Sequence, residues 1–323
     1  MFSREFIDNF LKDYSEAEKN QIQKDLEIVK SITFDNAKEN TDTSKAPVYL
    51  ATAGGPGTAK TTTLETFLVT HNLGHFVYVD PDQVSLKNMN FTYRKSLTNY
   101  DFAMAPSTYD ALKKAYDKWR AASNYICHSI LETAFGNDDG KGIKYSIAHG
   151  TTSTSPYIGS FHKKIKALGY RIVLLLCYSP DEMRKNAIEK RQTEQAFVQA
   201  DPSDIISKGV YFPERFDNYF DYADEIIFYW NEEIKHQKLP MPCAKFINNP
   251  DNPSLTILNS SDWVSFCNKY LKDVKQHNIN ICERFISLTP ANVKSYSSNR
   301  LFSALNDSEE HKSSTPTMYN KQN

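Results

Sequence analysis

The stretch that most constrains this chain is Val48–Leu64, VYLATAGGPGTAKTTTL, where an apolar run leads into a glycine-rich turn and then Lys-Thr-Thr. Such a turn can curl with its backbone N–H groups pointing inward, and the following helix adds free N–H groups and the positive end of its dipole. The pattern G-x-x-x-x-G-K-[ST] fits from Gly54 to Thr61, with Ala59 in place of the last glycine. The stretch therefore predicts a phosphate loop, and a glycine-rich turn without a ligand is the alternative.

In such a loop, Lys60 contacts the β- and γ-phosphates of ATP, and the hydroxyl of Thr61 holds Mg²⁺. Ala59 adds a methyl group where backbone and phosphate approach closely, so the alternative of a decayed loop depends on it. The predicted nucleotide-binding residues are Gly54, Gly55, Gly57, Thr58, Ala59, Lys60, Thr61 and Thr62.

Charge and composition narrow the class of partner. The 323 residues carry 38 Lys and Arg against 39 Asp and Glu, so the formal net charge is −1. A chain this close to neutrality has no global basic field to recruit nucleic acid or an anionic membrane. Its aromatic residues are scattered among charges and form no stacking stripe. We therefore expect no nucleic acid as a partner.

The chain shows no signal for disulfides, secretion or membrane insertion. Its five cysteines are an odd number without C-x-x-C or Cys/His ligand spacing. The N-terminus, MFSREFIDNFLKDY, is too charged for a signal peptide, and no run of 18 apolar residues occurs. These features predict reduced thiols, no membrane span and a cytoplasmic location. The polar C-terminus leaves export as an effector open.

Apolar runs alternate with helical patterns across residues 47–230, which predicts a three-layer α/β core with a mostly parallel sheet. Arg171–Tyr178, RIVLLLCY, is the strongest strand, because a near-continuous apolar run is typical of a buried parallel strand. The predicted strands are Val48–Thr52, Phe76–Val79, Tyr145–Ala148, Arg171–Tyr178 and Glu225–Tyr229.

Three segments flank this core. Residues 1–46 form an N-terminal helical segment and loop, with Ser15 and Glu18 as a capping box. Residues 231–294 form a C-terminal extension with two short strands and a helix that Ser261 caps. Residues 295–323 are rich in Ser, Asn and Lys and predict a disordered tail.

Two carboxylates follow the second predicted strand, at Asp80 and Asp82. In doubly wound sheets, ligands bind outside the carboxyl ends of the strands. We expect this strand to lie next to the phosphate-loop strand, and we expect both carboxylates to face the same way because they are two apart in an extended segment. A solvated Asp-Pro-Asp turn is the alternative.

Two further groups lie at strand ends. His149 and Thr151 follow the third strand and are candidate substrate contacts, although a lone histidine is more often structural. Arg184 and Arg191 are two helical turns apart and share a face. They predict either a lid that clamps phosphate or a solvated cationic face.

Taken in order, these motifs resemble the zeta-toxin family of P-loop kinases over Val48–Trp230. GGPGTAKTT looks like the family's phosphate loop, and YVDPDQV resembles its strand that ends in Asp-x-Asp. AHGTT stands where the family has Glu-x-Thr or Glu-Gly-Thr, so His149 replaces a glutamate. GYRIVLLLCYSPDEMRKNAIEKR resembles its Gly-Tyr strand and arginine-bearing helix.

The resemblance implies a P-loop kinase-like fold and transfer of the ATP γ-phosphate to a hydroxyl, typically the 3′-hydroxyl of UDP-N-acetylglucosamine. It further implies that Asp82 is the base and that Arg191 is the best match for a lid arginine. The partners it implies are a nucleotide and a small-molecule acceptor, and an antitoxin-like or host protein is a candidate partner. Because Ala59 and His149 depart from the family pattern, the acceptor stays open.

The predicted function is therefore an ATP- and Mg²⁺-dependent phosphotransferase. Its catalytic residues are Lys60, Asp82, Arg184 and Arg191, its substrate contacts are Asp80, His149 and Thr151, and its metal ligand is Thr61. Two alternatives remain. One is a degenerate P-loop protein that binds a nucleotide or partner without turnover. The other is an NTP hydrolase, although no N-K-x-D motif occurs.

Overall fold

A computed structural model describes residues 4–39, 45–98, 108–136, 142–194, 205, 209–232, 239–291 and 293. Seven strands form one sheet in the order β2-β3-β1-β4-β5-β6-β7. Strands β1 to β5 are parallel, and β6 and β7 add an antiparallel edge. Their bounds are β1 Val48–Ala53, β2 Val77–Val79, β3 Ile147–His149, β4 Arg171–Tyr178, β5 Glu225–Trp230, β6 Pro242–Ile247 and β7 Ser254–Ile257.

Helices cover both faces of this sheet. They are α1 Arg4–Asp8, α2 Glu16–Phe34, α3 Lys60–Thr70, α4 Tyr93–Thr98, α5 Thr108–Ala134, α6 Ile158–Ala167, α7 Asp181–Glu194, α8 Phe216–Tyr222, α9 Ser260–His277 and α10 Glu283–Leu288. Because side chains alternate along a strand, Leu175 packs toward α3 in one apolar cluster, whereas Leu174 belongs to the larger cluster on the other face. The predicted three-layer α/β class is confirmed.

The central strands follow from the sequence. Every residue of β4 except Arg171 is buried, because β4 pairs with a parallel strand on each side and carries helices on both faces. The capping box of α2 is also present as predicted, since the Ser15 hydroxyl accepts from the Glu18 N–H and Glu18 accepts from the Ser15 N–H.

One prediction about the sheet is wrong. Strand β2 does not lie next to β1, because β3 pairs in parallel with both and separates them. The connection from β1 through α3 to β2 thus skips one position in the sheet. The loop after β2 consequently faces the phosphate loop across the end of β3.

The C-terminal segment continues the same sheet. Strand β6 pairs with β5, so the boundary predicted at residue 230 falls inside the sheet. The rings of Trp263 and Phe266 pack against Phe228 at centroid distances of 4.9 and 5.2 Å. The cap of α9 is Asn259, whose side chain accepts from the Asp262 N–H, and the prediction of Ser261 as cap is wrong because the helix begins at Ser260.

All five cysteines are buried free thiols. Within the described residues, no helix combines the length and the apolarity needed to cross a membrane. The predicted tail at 295–323 lies outside the described residues.

Candidate active site

The carboxyl ends of β1, β2, β3 and β4 meet at one edge of the sheet, because these strands are parallel. In α/β folds this edge is where ligands bind. It brings together the phosphate loop, the Asp-Pro-Asp segment, the His-Gly-Thr segment and the start of α7. The predicted site residues on these loops therefore lie at one edge of the sheet.

The glycines of the phosphate loop are required by packing against β4 and α7. Gly54 has φ +152°, and a Cβ there would lie 2.5 Å from the Cys177 carbonyl oxygen. Gly57 has φ +76°, and a Cβ there would lie 2.6 Å from the Arg184 carbonyl oxygen. A side chain at either position would force the loop away from the elements that support it.

Ala59 keeps the backbone shape that a glycine would adopt. It is the N-cap residue of α3, with φ 61° and ψ 25° in the left-handed region. For an alanine this conformation costs roughly 1–2 kcal/mol. The residue supplies no side-chain cap to α3, so the N–H groups of the first helical turn are left to an anion.

Lys60 lies across the loop that it follows. Its Nζ donates to the Gly55 carbonyl oxygen at 2.7 Å, and the Thr58 hydroxyl donates to the same oxygen at 2.9 Å. Thr61 and Thr62 are half-buried on the first turn of α3. The ammonium and the hydroxyl that phosphate-loop chemistry requires thus both come from the first turn of α3.

Three separate elements hold the loop from outside. The Gly54 N–H donates to Thr152 O at 3.1 Å. The Arg184 Nε donates to Pro56 O at 2.9 Å, and the Asn231 Nδ2 donates to Thr58 O at 2.8 Å. The loop is therefore fixed in shape by protein contacts before any ligand arrives.

Asp80 and Asp82 do not face the same way, contrary to the prediction. The extended segment ends at Asp80, because Pro81–Leu86 coils into a π-helical turn. Asp80 caps this turn, and its Oδ1 accepts from the N–H groups of Asp82 and Gln83 at 2.7 Å each. Burial raises the pKa of Asp80 to about 6. Its other oxygen lies against Gly150, where a Cβ would approach it to 2.2 Å.

Asp82 instead faces α5. Its Oδ1 lies 2.9 Å from the Nε of Arg120, which also donates to the Tyr116 hydroxyl at 2.9 Å. The Nη1 of Arg120 donates to Asn124. One turn along, the Ser123 hydroxyl donates to Pro81 O at 2.7 Å. Side chains of α5 thus hold both the carboxylate of Asp82 and the turn that carries it.

His149 is buried, and the hydroxyl of Tyr49 lies 2.7 Å from its Nδ1. Burial, with smaller contributions from His128 and His162, lowers the pKa of His149 to about 3, so the imidazole is neutral at physiological pH. Thr151 is tied to β1, since its N–H donates to the Thr52 hydroxyl at 3.0 Å. Both residues stay predictions as substrate contacts.

Arg184 is buried beneath the phosphate loop, with only 3 % of its surface exposed. Of the two predicted alternatives, the solvated cationic face does not hold for Arg184, because the turn of α7 that carries it packs against Gly55 and Gly57. Arg191 falls on α7, but its side chain lies outside the described part of the structure.

Comparison with solved structures places this fold. A chain of the crystal structure of AvrRxo1-ORF1:-ORF2 with ATP superposes with a TM-score of 0.54 at 14 % identity, over 80 % of this chain and 74 % of that one. The native AvrRxo1-ORF1:-ORF2 complex gives 0.54 at 14 % identity, over 91 % and 88 %. This chain therefore shares the fold of these structures, and it is the α/β fold with a phosphate loop after the first strand that the sequence predicts. No family model and no curated protein matches its sequence.

Within this fold, sequence reasoning missed Arg120 and Asn231. Asn231 directly follows β5, so the rule that selected Asp80 and His149 at strand ends would have found it. Arg120 carries a weaker signal: Tyr116, Arg120 and Asn124 recur at every fourth residue and form a polar stripe along α5. Only the fold shows that this stripe faces Asp82.

Proposed function

We propose that this protein transfers the γ-phosphate of ATP to a hydroxyl group of a small molecule. The observation that carries the proposal is the phosphate loop, which is held in shape from three sides and leaves the first turn of α3 uncapped. An uncapped helix N-terminus behind a glycine-rich loop suits a polyphosphate. Lys60 supplies the cation that such a loop uses on β- and γ-phosphates.

The residues present also fit Mg²⁺. Among the described residues, no group of three or more His, Cys, Asp or Glu side chains could hold a metal by itself. Mg²⁺ does not require one, because it commonly keeps several waters and binds through nucleotide phosphates with one or two protein ligands. The Thr61 hydroxyl on the first turn of α3 would be such a ligand. When bound, the ion would neutralise charge on the phosphates.

Asp82 is the proposed base. As the acceptor oxygen bonds to the γ-phosphorus, the bond from that phosphorus to the β-phosphate oxygen breaks and ADP leaves. The acceptor proton passes to the Asp82 carboxylate. Phosphoryl transfer depends mainly on positioning and electrostatics, so an ordinary carboxylate held by Arg120 suffices.

For the acceptor, we propose a nucleotide sugar such as UDP-N-acetylglucosamine. The support is the resemblance of the motifs around Asp82 and Thr151 to the zeta-toxin pattern. His149 is the point of departure, because a neutral imidazole offers one acceptor nitrogen and no charge, whereas a carboxylate offers two negatively charged acceptor oxygens. A panel of nucleotide sugars and other hydroxyl compounds with labelled ATP identifies the acceptor.

The Lys60→Ala variant tests the proposed function. ATP affinity should fall, and transfer to acceptor should be abolished, while the protein stays folded. Lys163→Ala, which removes an exposed lysine from α6, is the matched control and should bind and transfer as the wild type does. Undiminished transfer by Lys60→Ala would refute the phosphate-loop proposal.

A nucleotide-binding protein without turnover is the second candidate. The strained backbone of Ala59 and the neutral His149 favour it. It predicts ATP binding with Mg²⁺ but no labelled product with any acceptor. Release of phosphate without an acceptor would instead support an NTP hydrolase.

We also propose a second protein as a partner, of the antitoxin-like or host kind. The support is that the similar AvrRxo1-ORF1:-ORF2 structure is a complex of two proteins. Co-purification with the product of a neighbouring gene would support the proposal, and inhibition of transfer by that product would identify its role.

A further inference from the structure

A chain of charged side chains connects the C-terminal helix α9 to the phosphate loop. The Nζ of Lys269 on α9 lies 3.1 Å from Asp181 Oδ1, and the same oxygen lies 3.0 Å from Arg184 Nη1. The Nε of Arg184 then donates to Pro56 O in the loop at 2.9 Å. Two ionic contacts and one hydrogen bond thus span the distance from the helix to the loop.

Each nitrogen of the Arg184 guanidinium has a protein partner. Besides Pro56 O and Asp181, the Nη2 donates to Ile205 O at 3.0 Å. Since the guanidinium is a rigid plane, three contacts in different directions fix its orientation. A Cβ on Gly55 would lie 2.5 Å from Nη2, so the plane rests directly on the loop backbone. A lid arginine must reach a γ-phosphate, whereas the three nitrogens of this guanidinium are already bonded to groups of the protein.

The far end of the chain is also fixed. Lys269 is 8 % exposed, and its Nζ lies 2.5 Å from Asp273 Oδ1 and 5.7 Å from the centre of the Tyr178 ring. Burial alone would raise the pKa of Asp181, but Lys269 and Arg184 hold that pKa below its ordinary value. A buried lysine left without its partner is costly, so this lysine is locked onto Asp181 and Asp273.

We propose that Arg184 is a positioning residue of the phosphate loop, and that Lys269 acts on the loop through Asp181 and Arg184. The C-terminal segment thereby sets the affinity for nucleotide, although it contributes no residue to the loop itself. This inference rests on the proposed function, because it assumes that the loop binds ATP.

The experiment measures Kd for ATP and for ADP on the full chain. Asp181→Asn removes the central charge at a half-exposed position, and we expect both Kd values to rise about fivefold. The two should rise alike, because the loop cradles the β-phosphate that both nucleotides share. Glu182→Gln, the same change at the neighbouring exposed residue of α7, should leave both within twofold of the wild type.

Lys269→Met should raise both Kd values about tenfold, and Lys269→Arg should restore them because it keeps the charge. Lys272→Met on the exposed face of α9 is its control. All titrations are made well below the lowest melting temperature of the set, so loss of fold does not enter. If Lys269→Met fails to fold, the ATP and ADP affinities of Asp181→Asn and Lys269→Arg still test the inference.

Three results distinguish a failure of this inference from a failure of the proposed function. Wild-type affinity in folded Asp181→Asn would overturn the inference and leave the proposed function intact. A loss of ATP affinity in Arg184→Lys without a loss of ADP affinity would make Arg184 a γ-phosphate ligand and also overturn it. No ATP binding by the wild type would refute the proposed function itself.

Discussion

The two walls of the candidate site are built by different means. The proposed nucleotide wall is one contiguous loop, residues 54–62, whose backbone is hydrogen-bonded to Arg184 on α7 and to Thr152 and Asn231, which follow β3 and β5. The proposed acceptor wall is the π-helical turn Pro81–Leu86, where an ion pair with Arg120 on α5 holds the carboxylate of Asp82. Several contacts from different parts of the chain thus fix the loop, whereas the orientation of the Asp82 carboxylate depends on one ion pair.

Asp82→Asn should separate the two walls most sharply. It keeps the shape of the side chain and removes the charge, so transfer should fall about 10²-fold or more while ATP affinity stays near wild type. A binding titration and a transfer assay on one preparation measure both. Asp117→Asn, an exposed aspartate on α5, is the control. Normal transfer by Asp82→Asn together with loss in Asp80→Asn would reverse the assignment within the pair.

The stability of the folded protein should depend on pH because of three histidines. Burial lowers the pKa of His149 to about 3 and those of His128 and His162 to about 4. Between pH 6.5 and these values the unfolded chain binds protons that the native protein does not. Stability should therefore be full above pH 6.5 and fall by about 1.4 kcal/mol per histidine for each pH unit below it. Asp80, whose pKa is raised to about 6, opposes this below pH 6.

His162→Leu isolates one of these contributions. The ring of His162 is fully buried, and neither of its nitrogens has a hydrogen-bond partner among the described residues. Asp80 and the other groups contribute equally to the pH dependence of unfolding in the variant and the wild type, so their contributions cancel in the difference between the two. Urea unfolding at a series of pH values should show a slope lower by about 1.4 kcal/mol per pH unit in the variant. An unchanged slope would mean that the native protein protonates His162 normally.

Arg120→Met tests whether the acceptor wall depends on its ion pair. Without Arg120, the Asp82 carboxylate is free to turn away, and we expect transfer to fall about fivefold to tenfold with ATP affinity unchanged. Lys114→Met, at an exposed position of the same helix, should change neither. A fall in ATP affinity in Arg120→Met would show that α5 also supports the nucleotide wall.

The smallest effect is expected at Ala59. A glycine adopts the left-handed backbone without strain and removes a methyl group beside the phosphates. Ala59→Gly should therefore tighten ATP binding about threefold and leave the fold unchanged. Unchanged affinity would mean that the loop has adapted to alanine, and the degenerate alternative would lose its main support.

The two walls also differ in how much of each could be predicted from the sequence. The phosphate loop and β4 were predictable because their signals are local: glycines with Lys-Thr in one stretch, and an unbroken apolar run in the other. The place of β2 was not, because strand order depends on which crossover skips a position. The Asp82–Arg120 pair joins residues 38 positions apart, and neither neighbourhood contains a sign of the other.

The same holds for the support of the loop. Arg184 was singled out from its helical spacing with Arg191, which indicates a shared face but not which side of the helix is buried. The ionic contacts that connect Arg184 through Asp181 to Lys269 join α7 to α9, so only tertiary packing reveals them.

Hydrogen–deuterium exchange with and without ATP and Mg²⁺ tests the central claim most directly, because backbone N–H groups are the proposed ligands. The account predicts protection of residues 54–62 on nucleotide addition, with little change in Pro81–Leu86 until an acceptor is present. Protection confined to Pro81–Leu86, or no protection at 54–62 at saturating nucleotide, would contradict it.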